Sequence, residues 1–285
     1  MNPEVLIIGC GFLGEATAEL FSAQGKRVLG LVRSPESLGN LGGGSFDVSC
    51  CDVTDSSSVE SLTPILRSVP LAIYAVSSGR GSAEVYEAVY RDGLRRVLDC
   101  WQPGRMIFVG STSVYGQTDG SWVDESTPAI PCRETGRILL EAELTTLDSR
   151  GVVARLSGIY GPGRSVLLKK MISGEAVLED GGTRWVNQIH RDDAAAALCR
   201  LGDASVSPGI YNVTDDAPAT QSEVCGWIAE GLGCAMPPVG PKDLNRKRGW
   251  TSKRVSNRKI RGTGWVPQFA SYRDALPQLI SKKSV

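Results

Sequence analysis

The chain has 285 residues, of which 41% are hydrophobic and 22% are charged, a balance typical of a folded globular protein with a sizeable core. The 31 Lys and Arg residues match the 31 Asp and Glu residues, so the formal net charge is zero. This balance excludes a protein that binds nucleic acid through an overall basic surface.

Two further features of the composition indicate the compartment. No apolar run approaches the ~20 residues that a membrane helix needs, and no signal-peptide pattern precedes the apolar segment Val5–Ile8. The eight cysteines form no C-x-x-C pair and have no histidine partner at zinc-binding spacing. We therefore expect a cytoplasmic protein with reduced, buried thiols and no metal site.

Short apolar runs alternate with helical segments through the first part of the chain. The predicted strands cover residues 5–8, 27–32, 48–51, 71–76, 106–109 and 152–156. The predicted helices between them cover residues 12–24, 56–68, 83–100 and 134–147. Strands that alternate with helices form βαβ units with right-handed crossovers. We expect an α/β fold with a doubly wound parallel sheet of Rossmann type.

The pattern loosens beyond this region, which predicts a second, smaller lobe. We expect residues 1–157 to form the Rossmann domain and residues 186–213 to return to it. The smaller C-terminal lobe is then built from the discontinuous segments 158–185 and 214–285.

The residues after the first strand match the phosphate-binding loop of dinucleotide-binding proteins. The G-x-G-x-x-G motif consists of Gly9, Cys10, Gly11, Phe12, Leu13 and Gly14. The first glycine permits a tight turn, the second lets a pyrophosphate approach the backbone, and the third lets the helix pack on the strand. A glycine-rich turn without a ligand is the alternative, but the position between a strand and a helix favours a nucleotide.

The end of the second strand indicates which dinucleotide is bound. An acid there bonds the ribose 2′-hydroxyl of NAD, whereas an Arg accommodates the 2′-phosphate of NADP. Arg33 and Ser34 occupy this place, so the sequence favours NADP and leaves NAD as the alternative. The alternative interpretation is that Arg33 is a solvated residue at a strand end and has no role in cofactor binding.

The next two strands end in residues that we also assign to the nucleotide site. Asp52 and Val53 close the third strand, where Asp52 is expected to meet the adenine amino group. Ala75, Val76 and Ser77 end the fourth strand beside the expected path of the nucleotide.

Five more segments complete a recognisable pattern. They are STSVYG at 111–116, DESTP at 124–128, RLSGIYGPG at 155–163, IHRDD at 189–193 and YNV at 211–213. In this order and spacing, and together with the glycine motif, they resemble the extended short-chain dehydrogenase/reductases, the NAD-dependent epimerase/dehydratase family. The resemblance covers nearly the whole chain.

This resemblance implies a nicotinamide cofactor and a substrate held between the sheet and the smaller lobe. Ser111 matches the active-site Ser or Thr of the family, and Tyr115 matches the tyrosine of its V-Y-G segment. Leu156, Gly158 and Ile159 match the stretch that lies along the nicotinamide. Members of the family commonly act on nucleotide-linked sugars.

The catalytic Tyr and Lys of the family, four residues apart on the helix after the fifth strand, have no match here. Counting back from Glu143, which fits a Glu of the family, places Leu139 at the Lys position and Thr135 at the Tyr position. The upstream Asn of the family falls on Tyr90. A threonine hydroxyl is too weak an acid to replace a tyrosine near neutral pH, so the chain resembles the atypical members of the superfamily.

Few side chains could replace the missing pair. We assign Ser111 and Tyr115 as candidate catalytic residues. A phenol has an ordinary pKa of about 10, so Tyr115 would need a nearby cation to lower its pKa for proton transfer. A packing role is therefore the favoured alternative for Tyr115. His190, the only histidine, has a suitable ordinary pKa, but a structural turn before a helix is its favoured alternative. Arg137 should face away from Thr135, towards solvent.

A basic stretch near the C-terminus leaves three interpretations open. Residues 242–261 hold nine basic residues and one acid, Asp243, with Trp250 inside the stretch and Trp265 just after it. The favoured interpretation is a solvated surface, the second is a binding site for an anionic small molecule, and the least favoured is a nucleic-acid interface.

Two functions remain at this stage. The first is an atypical NAD(P)-dependent oxidoreductase or epimerase/dehydratase. The second is a non-catalytic protein that senses NADP(H) and regulates a partner. For either we expect a small-molecule substrate or ligand, anionic or nucleotide-linked, and a monomer or homodimer, with no nucleic acid and no membrane as partner.

Overall fold

The computed structural model describes residues 2–39, 41, 45–79, 81–244 and 249–281. Its strands are β1 Val5–Ile8, β2 Val28–Val32, β3 Asp47–Cys50, β4 Leu71–Tyr74, β5 Arg105–Ser111, β6 Trp122–Val123, β7 Val152–Leu156, β8 Gly158–Tyr160, β9 Leu178–Glu179, β10 Trp185–Val186, β11 Gln188–His190, β12 Gly209–Val213, β13 Ala219–Thr220, β14 Val239–Gly240 and β15 Arg254–Val255. Its α-helices are α1 Phe12–Ala23, α2 Pro35–Leu38, α3 Ser56–Leu66, α4 Ala83–Tyr86, α5 Gly93–Trp101, α6 Glu134–Asp148, α7 Val166–Ile172, α8 Arg191–Gly202, α9 Gln221–Leu232, α10 Arg258–Arg261 and α11 Tyr272–Ser281.

Seven of the strands form one central sheet in the order β12-β7-β5-β4-β1-β2-β3. The strand β1 pairs in parallel with β2 on one side and with β4 on the other, so Val5 lies opposite both Val28 and Leu71. All four residues of β1 are buried, as a strand covered on both faces must be. The predicted α/β fold, a Rossmann-type doubly wound sheet, is confirmed.

The order of this sheet reverses at β1, which marks the expected place of a ligand. Successive strands run outward through β2 and β3 on one side and through β4 and β5 on the other. In open α/β sheets, ligands bind outside the carboxyl ends of the strands at such a reversal. The loops that follow β1, β2, β3 and β4 therefore border the expected ligand site.

The helix predicted over 83–100 is present, but its middle turn departs from the regular α-helical geometry that the sequence pattern predicts. The structure divides it into α4, a π-helical segment at Glu87–Asp92, and α5. The hydroxyl of Tyr74, from β4, donates a hydrogen bond of 2.6 Å to the Val89 carbonyl, and a side chain at Gly93 would stand 2.8 Å from the same hydroxyl. This hydrogen bond joins the π-helical segment to β4.

The chain forms two compact units. The first comprises 1–111, 134–155 and 195–211, and the second comprises 112–133, 156–194 and 212–285, within the described residues. In the second unit, α7, α9 and α11 contribute to a core that includes Leu168, Ile228 and Leu276. Helix α9 begins with a reciprocal capping box between Thr220 and Glu223. The assignment of separate functions to two domains stays a prediction.

Candidate functional site

The turn from β1 into α1 has glycines where the backbone leaves no room for a side chain. Gly9 has φ +92°, and a Cβ there would lie 2.6 Å from the Val76 amide nitrogen and 2.7 Å from the Ala75 carbonyl carbon. A Cβ on Gly14 would overlap the carbonyl oxygen of Gly9. The fold itself therefore requires both glycines, because backbone atoms cannot move aside as a flexible side chain would.

Gly11, the middle glycine of the motif, differs from the other two. A Cβ built on Gly11 would have no heavy atom within 4 Å among the described residues, and the residue is exposed. Its amide donates a 2.9 Å hydrogen bond to the Gly9 carbonyl, which fixes the turn. The space above Gly11 is therefore open to a ligand that approaches the backbone closely.

Helix α1 begins directly beside this open space. Phe12 and Leu13, in its first turn, are half-buried. Amide groups in the first turn of a helix point out of its N-terminal end, and the helix dipole makes that end favourable for an anion. The predicted phosphate loop thus has the geometry of an anion-binding turn.

Cys10, within the motif, is a packing residue. Its amide donates a 2.8 Å hydrogen bond to the Leu31 carbonyl, and its thiol lies where a side chain at Gly30 would otherwise stand. Burial raises the pKa of the Cys10 thiol to about 12. The side chain therefore stays a neutral, buried thiol at physiological pH, as the sequence predicts.

The residues assigned to the ends of β2 and β3 lie in the same unit as this turn. Arg33 is exposed, and the Ser34 hydroxyl lies 3.3 Å from the hydroxyl of Ser37. One carboxylate oxygen of Asp52 accepts hydrogen bonds from the Thr54 amide and hydroxyl, at 2.9 and 2.7 Å. The Val53 carbonyl accepts a hydrogen bond from Arg96. Asp52 thus already stabilises its own turn.

The chain that follows β4 is fixed from two sides. The Ala75 amide donates to the Ile8 carbonyl at 2.7 Å. The Tyr90 hydroxyl accepts from the Ser78 amide at 3.3 Å and lies 3.5 Å from the Val76 carbonyl, to which it donates. Tyr90, at the position of the family's Asn, therefore supports the backbone of Val76–Ser78, a role that sequence reasoning missed.

The segment predicted to lie along the nicotinamide belongs to the second unit. Strand β8 pairs in parallel with β11, so Ile159 lies opposite Ile189. The Gly158 amide donates to the Asn187 carbonyl at 3.0 Å, and a side chain at Gly158 would stand 3.2 Å from that oxygen. Leu156 is buried. These contacts fix the segment, and its role beside a cofactor stays a prediction.

The two candidate catalytic residues differ in their surroundings. Ser111 is the last residue of β5 and is 7% exposed. Tyr115 is fully buried, and its hydroxyl lies 2.8 Å from the Asp124 carbonyl and 3.0 Å from Oδ1 of Asn212. This geometry favours the packing interpretation of Tyr115.

Helix α6 has the spacing that the sequence predicts. Thr135 is half-buried, Leu139 is 4% exposed, and Glu143 lies buried on the same face. Arg137 is exposed, which confirms the prediction for that residue. Leu139, which the sequence predicts to stand at the position of the family's lysine, is therefore an apolar buried residue, and its correspondence to that lysine stays a prediction.

His190 occupies a structural position in the second unit. It is 2% exposed, and its ring packs on Tyr160 and Phe269 with centroid distances of 5.4 and 4.4 Å. Its Nδ1 accepts a 3.3 Å hydrogen bond from the Asp192 amide. These contacts favour the structural-turn interpretation over proton transfer.

Comparison with known proteins agrees with this arrangement. A sequence model of the NAD dependent epimerase/dehydratase family matches residues 5–214. The chain belongs to this family. Protein YeeZ of Escherichia coli K12 is 29% identical over 245 residues, which cover 82% of this chain and 85% of that protein.

Two solved structures of other proteins have the same fold. A protein from Methylobacillus flagellatus, described as a NAD-dependent epimerase/dehydratase, superposes with a TM-score of 0.79 at 29% identity and covers 99% of this chain and 98% of its own. WbmG of Bordetella bronchiseptica, solved with NAD and UDP, gives a TM-score of 0.80 at 17% identity, with 99% of this chain and 94% of WbmG covered. Among the described residues, no helix combines the length and apolar character needed to span a membrane.

Proposed function

We propose that this chain is an atypical NAD(P)-dependent oxidoreductase or epimerase/dehydratase. The observation that carries the proposal is the contrast between the three glycines of the phosphate loop. Gly9 and Gly14 have no room for a side chain, whereas Gly11 faces open space at the start of α1. The fold requires glycine at residues 9 and 14, whereas glycine at residue 11 is required only by a ligand that approaches the backbone.

The residues present fit a dinucleotide. The amides at the start of α1 would hold the pyrophosphate, Asp52 and Val53 would lie beside the adenine, and Ala75 to Ser77 would follow the nucleotide's path. When bound, the cofactor supplies a hydride acceptor or donor at its nicotinamide ring. Support for nicotinamide binding also comes from WbmG, whose structure contains NAD.

We further propose that NADP is preferred over NAD. Arg33 is exposed at the end of β2, where its guanidinium can reach a 2′-phosphate, and Ser34 can add a hydroxyl donor. No acid stands at this strand end to select the 2′-hydroxyl of NAD.

The catalytic assignments follow from the surroundings of each side chain. Ser111 would orient a carbonyl or hydroxyl of the substrate, with Leu156, Gly158 and Ile159 beside the nicotinamide. We assign Tyr115 a structural part, because its hydroxyl is already engaged by Asp124 and Asn212 inside the protein. The substrate would be a small molecule, anionic or nucleotide-linked, a class supported by the UDP bound to WbmG.

The second candidate function is a non-catalytic sensor of NADP(H). The specific observation in its favour is the buried Leu139 with Thr135 on α6, which offer neither a cation nor a phenol on that helix face. A sensor would bind the cofactor and pass its redox state to a partner without turnover.

Calorimetry with NADPH, NADH and the oxidised forms tests the first step. We expect binding by the wild-type chain and its loss in Gly11→Val. Turnover of bound NADPH against a panel of carbonyl compounds and sugar nucleotides then separates enzyme from sensor. Oxidation of NADPH supports the enzyme, and tight binding without turnover supports the sensor. Absence of dinucleotide binding by the wild-type chain contradicts both.

A further inference from the structure

Lys253 is a buried lysine in the second unit. It is 5% exposed, although it belongs to a basic stretch for which a solvated surface is the favoured interpretation. The next residue, Arg254, has its guanidinium 5.2 Å from the ring centre of Trp122 and 4.9 Å from that of Trp185. The alternation of side chains along a strand therefore directs Lys253, which immediately precedes β15, inward.

The backbone of Lys253 is held by a neighbouring segment of the same unit. The Asn187 side chain donates to the Lys253 carbonyl at 2.9 Å and accepts from the Val255 amide at 2.7 Å. The Trp185 amide donates to the Ser252 hydroxyl at 3.2 Å. These three hydrogen bonds fix the buried position of Lys253, so its side chain cannot swing out to solvent without breaking them.

The amine of Lys253 has a hydroxyl and a cation as neighbours but no anion. Its Nζ donates a 2.9 Å hydrogen bond to the Thr251 hydroxyl, and in the described part of the chain no carboxylate forms an ion pair with it. Burial without a counter-charge favours the neutral amine over the ammonium. Burial, and then the Arg184 guanidinium, lower the pKa of Lys253 to about 8, whereas the Cys132 thiol acts in the opposite direction.

A neutral amine makes Lys253 a nucleophile. An ordinary lysine, with a pKa of about 10.4, is almost wholly protonated at pH 7 and has no free electron pair to donate. A desolvated lysine beside a second cation keeps a neutral fraction, and this is the arrangement that activates lysines for attack on carbonyl groups. Cys132, whose ionisation affects the Lys253 pKa, is exposed, so one side of the amine lies near the surface.

We propose that Lys253 is a nucleophilic lysine that forms an imine with a small aldehyde or ketone. The electron pair of the nitrogen attacks the carbonyl carbon and forms a C–N bond, and a proton passes from nitrogen to oxygen. Loss of water then breaks the C–O bond and leaves a C=N bond. The step needs no oxidant or reductant, and hydrolysis reverses it. The Thr251 hydroxyl orients the amine.

This inference goes beyond the proposed function, because imine formation at Lys253 needs no nucleotide. It also makes Lys253 an exception within the basic stretch. The side chain is neither a solvated charge nor a fixed positive charge, because part of the population carries no proton at neutral pH.

Reductive alkylation of the whole native chain tests the proposal directly. The probe is acetaldehyde with cyanoborohydride at pH 7, which delivers hydride to the imine carbon and fixes an ethyl group on the nitrogen. Peptide mass spectrometry then gives the rate at each lysine. Lys242 is the matched control, since it is exposed in the same basic stretch and pairs with Asp180 at 3.0 Å.

We expect Lys253 to be alkylated at least tenfold faster than Lys242 at pH 7 in the folded chain. In urea, where burial is lost, the two rates should become similar. Equal or slower alkylation of Lys253 in the folded chain would overturn the proposal. A preference that persists in the unfolded chain would overturn it as well, because the neighbouring sequence and not the folded site would then be the cause.

The pH profile gives a second readout on the wild-type chain. The alkylation rate of Lys253 should rise up to about pH 8 and level off above it, because the amine is then mostly neutral. The rate of an ordinary lysine keeps rising through this range. A rate at Lys253 that rises steadily to pH 10 would contradict the proposal.

Lys253→Met and the affinity for NADPH separate this proposal from the proposed function. The variant should lose the fast-reacting site, keep the alkylation rate of Lys242, and bind NADPH as the wild-type chain does, because the phosphate loop lies in the other unit. If the variant does not fold, the wild-type rates decide the proposal alone. Fast alkylation of Lys253 without NADPH binding would overturn only the proposed function, and NADPH binding with slow alkylation would overturn only this inference.

Discussion

Glu143 and Arg155 form a buried ion pair in the first unit, with Arg155 Nη2 2.6 Å from Oε2 of Glu143 and Arg155 Nε 3.0 Å from Oε1. Both side chains are less than 5% exposed. Glu143 lies one helical turn after Leu139 and two turns after Thr135 on α6. The ion pair therefore joins α6 to β7 on the helix face that also carries Thr135 and Leu139, the two positions predicted to correspond to the family's catalytic Tyr and Lys.

Breaking this pair should destabilise the fold strongly. Glu143→Gln leaves the Arg155 guanidinium buried without a counter-charge, and we expect a loss of about 3–5 kcal/mol in the free energy of unfolding. Urea unfolding measures it. The double variant Glu143→Leu with Arg155→Met should lose much less free energy of unfolding than the sum of the losses in the single variants Glu143→Leu and Arg155→Met. Additive losses would show that the two charges do not interact.

The glycines of the phosphate loop should separate stability from binding. Gly11→Val should weaken NADP(H) binding at least tenfold with little change in melting temperature, because the added side chain points into open space. Gly14→Ala should lower the melting temperature sharply, because its Cβ would overlap the Gly9 carbonyl. Thermal melts and calorimetry on the same samples check both. Unchanged affinity in Gly11→Val would refute the site assignment.

Cofactor preference should depend on Arg33. We expect the wild-type chain to bind NADPH more tightly than NADH. In Arg33→Ala the difference between the two affinities should be smaller, because the exposed guanidinium is the group that can bind a 2′-phosphate. Dissociation constants of both cofactors for both proteins give the answer. Arg137→Ala, an exposed Arg on α6, serves as the control and should leave the ratio unchanged. Equal affinities of the wild-type protein for NADPH and NADH would count against the assignment.

A variant with Tyr at residue 135 and Lys at residue 139 tests the predicted correspondence of these positions to the family's catalytic pair. Thr135→Tyr with Leu139→Lys should fold, and NADP(H) should raise its melting temperature more than it raises that of the wild type, because cofactor ribose hydroxyls can compensate a lysine that replaces a buried leucine. Thr135→Ala alone should barely change native activity. A hundredfold loss in Thr135→Ala, about 2.7 kcal/mol, would establish a direct role for Thr135.

Stability should also depend on pH through Asp215. This carboxyl is 2% exposed, its Oδ1 has no hydrogen-bond partner among the described residues, and burial raises its pKa well above the ordinary value. The folded state therefore retains a proton that the unfolded state releases, so stability falls as the pH rises from about 4 towards the raised pKa. In Asp215→Asn this part of the slope should disappear. Unfolding free energies across that pH range measure it, and identical slopes would exclude the effect.

The sequence predicts those features that depend on local pattern. The predicted strand Val152–Leu156 is apolar except for Arg155, and its bounds agree with the structure. The glycine motif is local as a sequence pattern, but only Gly14 has its geometric reason nearby, at the Gly9 carbonyl, whereas the Cβ position of Gly9 is filled by the distant backbone of Ala75 and Val76. The exposure of Arg137 on α6 is predicted by helical spacing alone.

Features made by distant contacts could not be predicted in the same way. The π-helical segment is contacted by the hydroxyl of Tyr74, fifteen residues before Val89, and the sequence of the segment itself has an ordinary helical pattern. Lys253 lies in a run of charges that favours a solvated face, and only strand pairing with the chain around Ser121 turns it inward. Residues 245–248 of the same basic stretch lie outside the described residues.

The empty surroundings of Gly11 have an evolutionary consequence. Purifying selection for a folded chain acts on Gly9 and Gly14, whose side-chain positions are filled by backbone, but it has no hold on Gly11. Under the proposed function, selection for nucleotide binding is what would keep residue 11 a glycine. A descendant without that binding would be free to change residue 11 while retaining Gly9 and Gly14, so the identity of this single residue across a lineage would date the loss of the proposed binding.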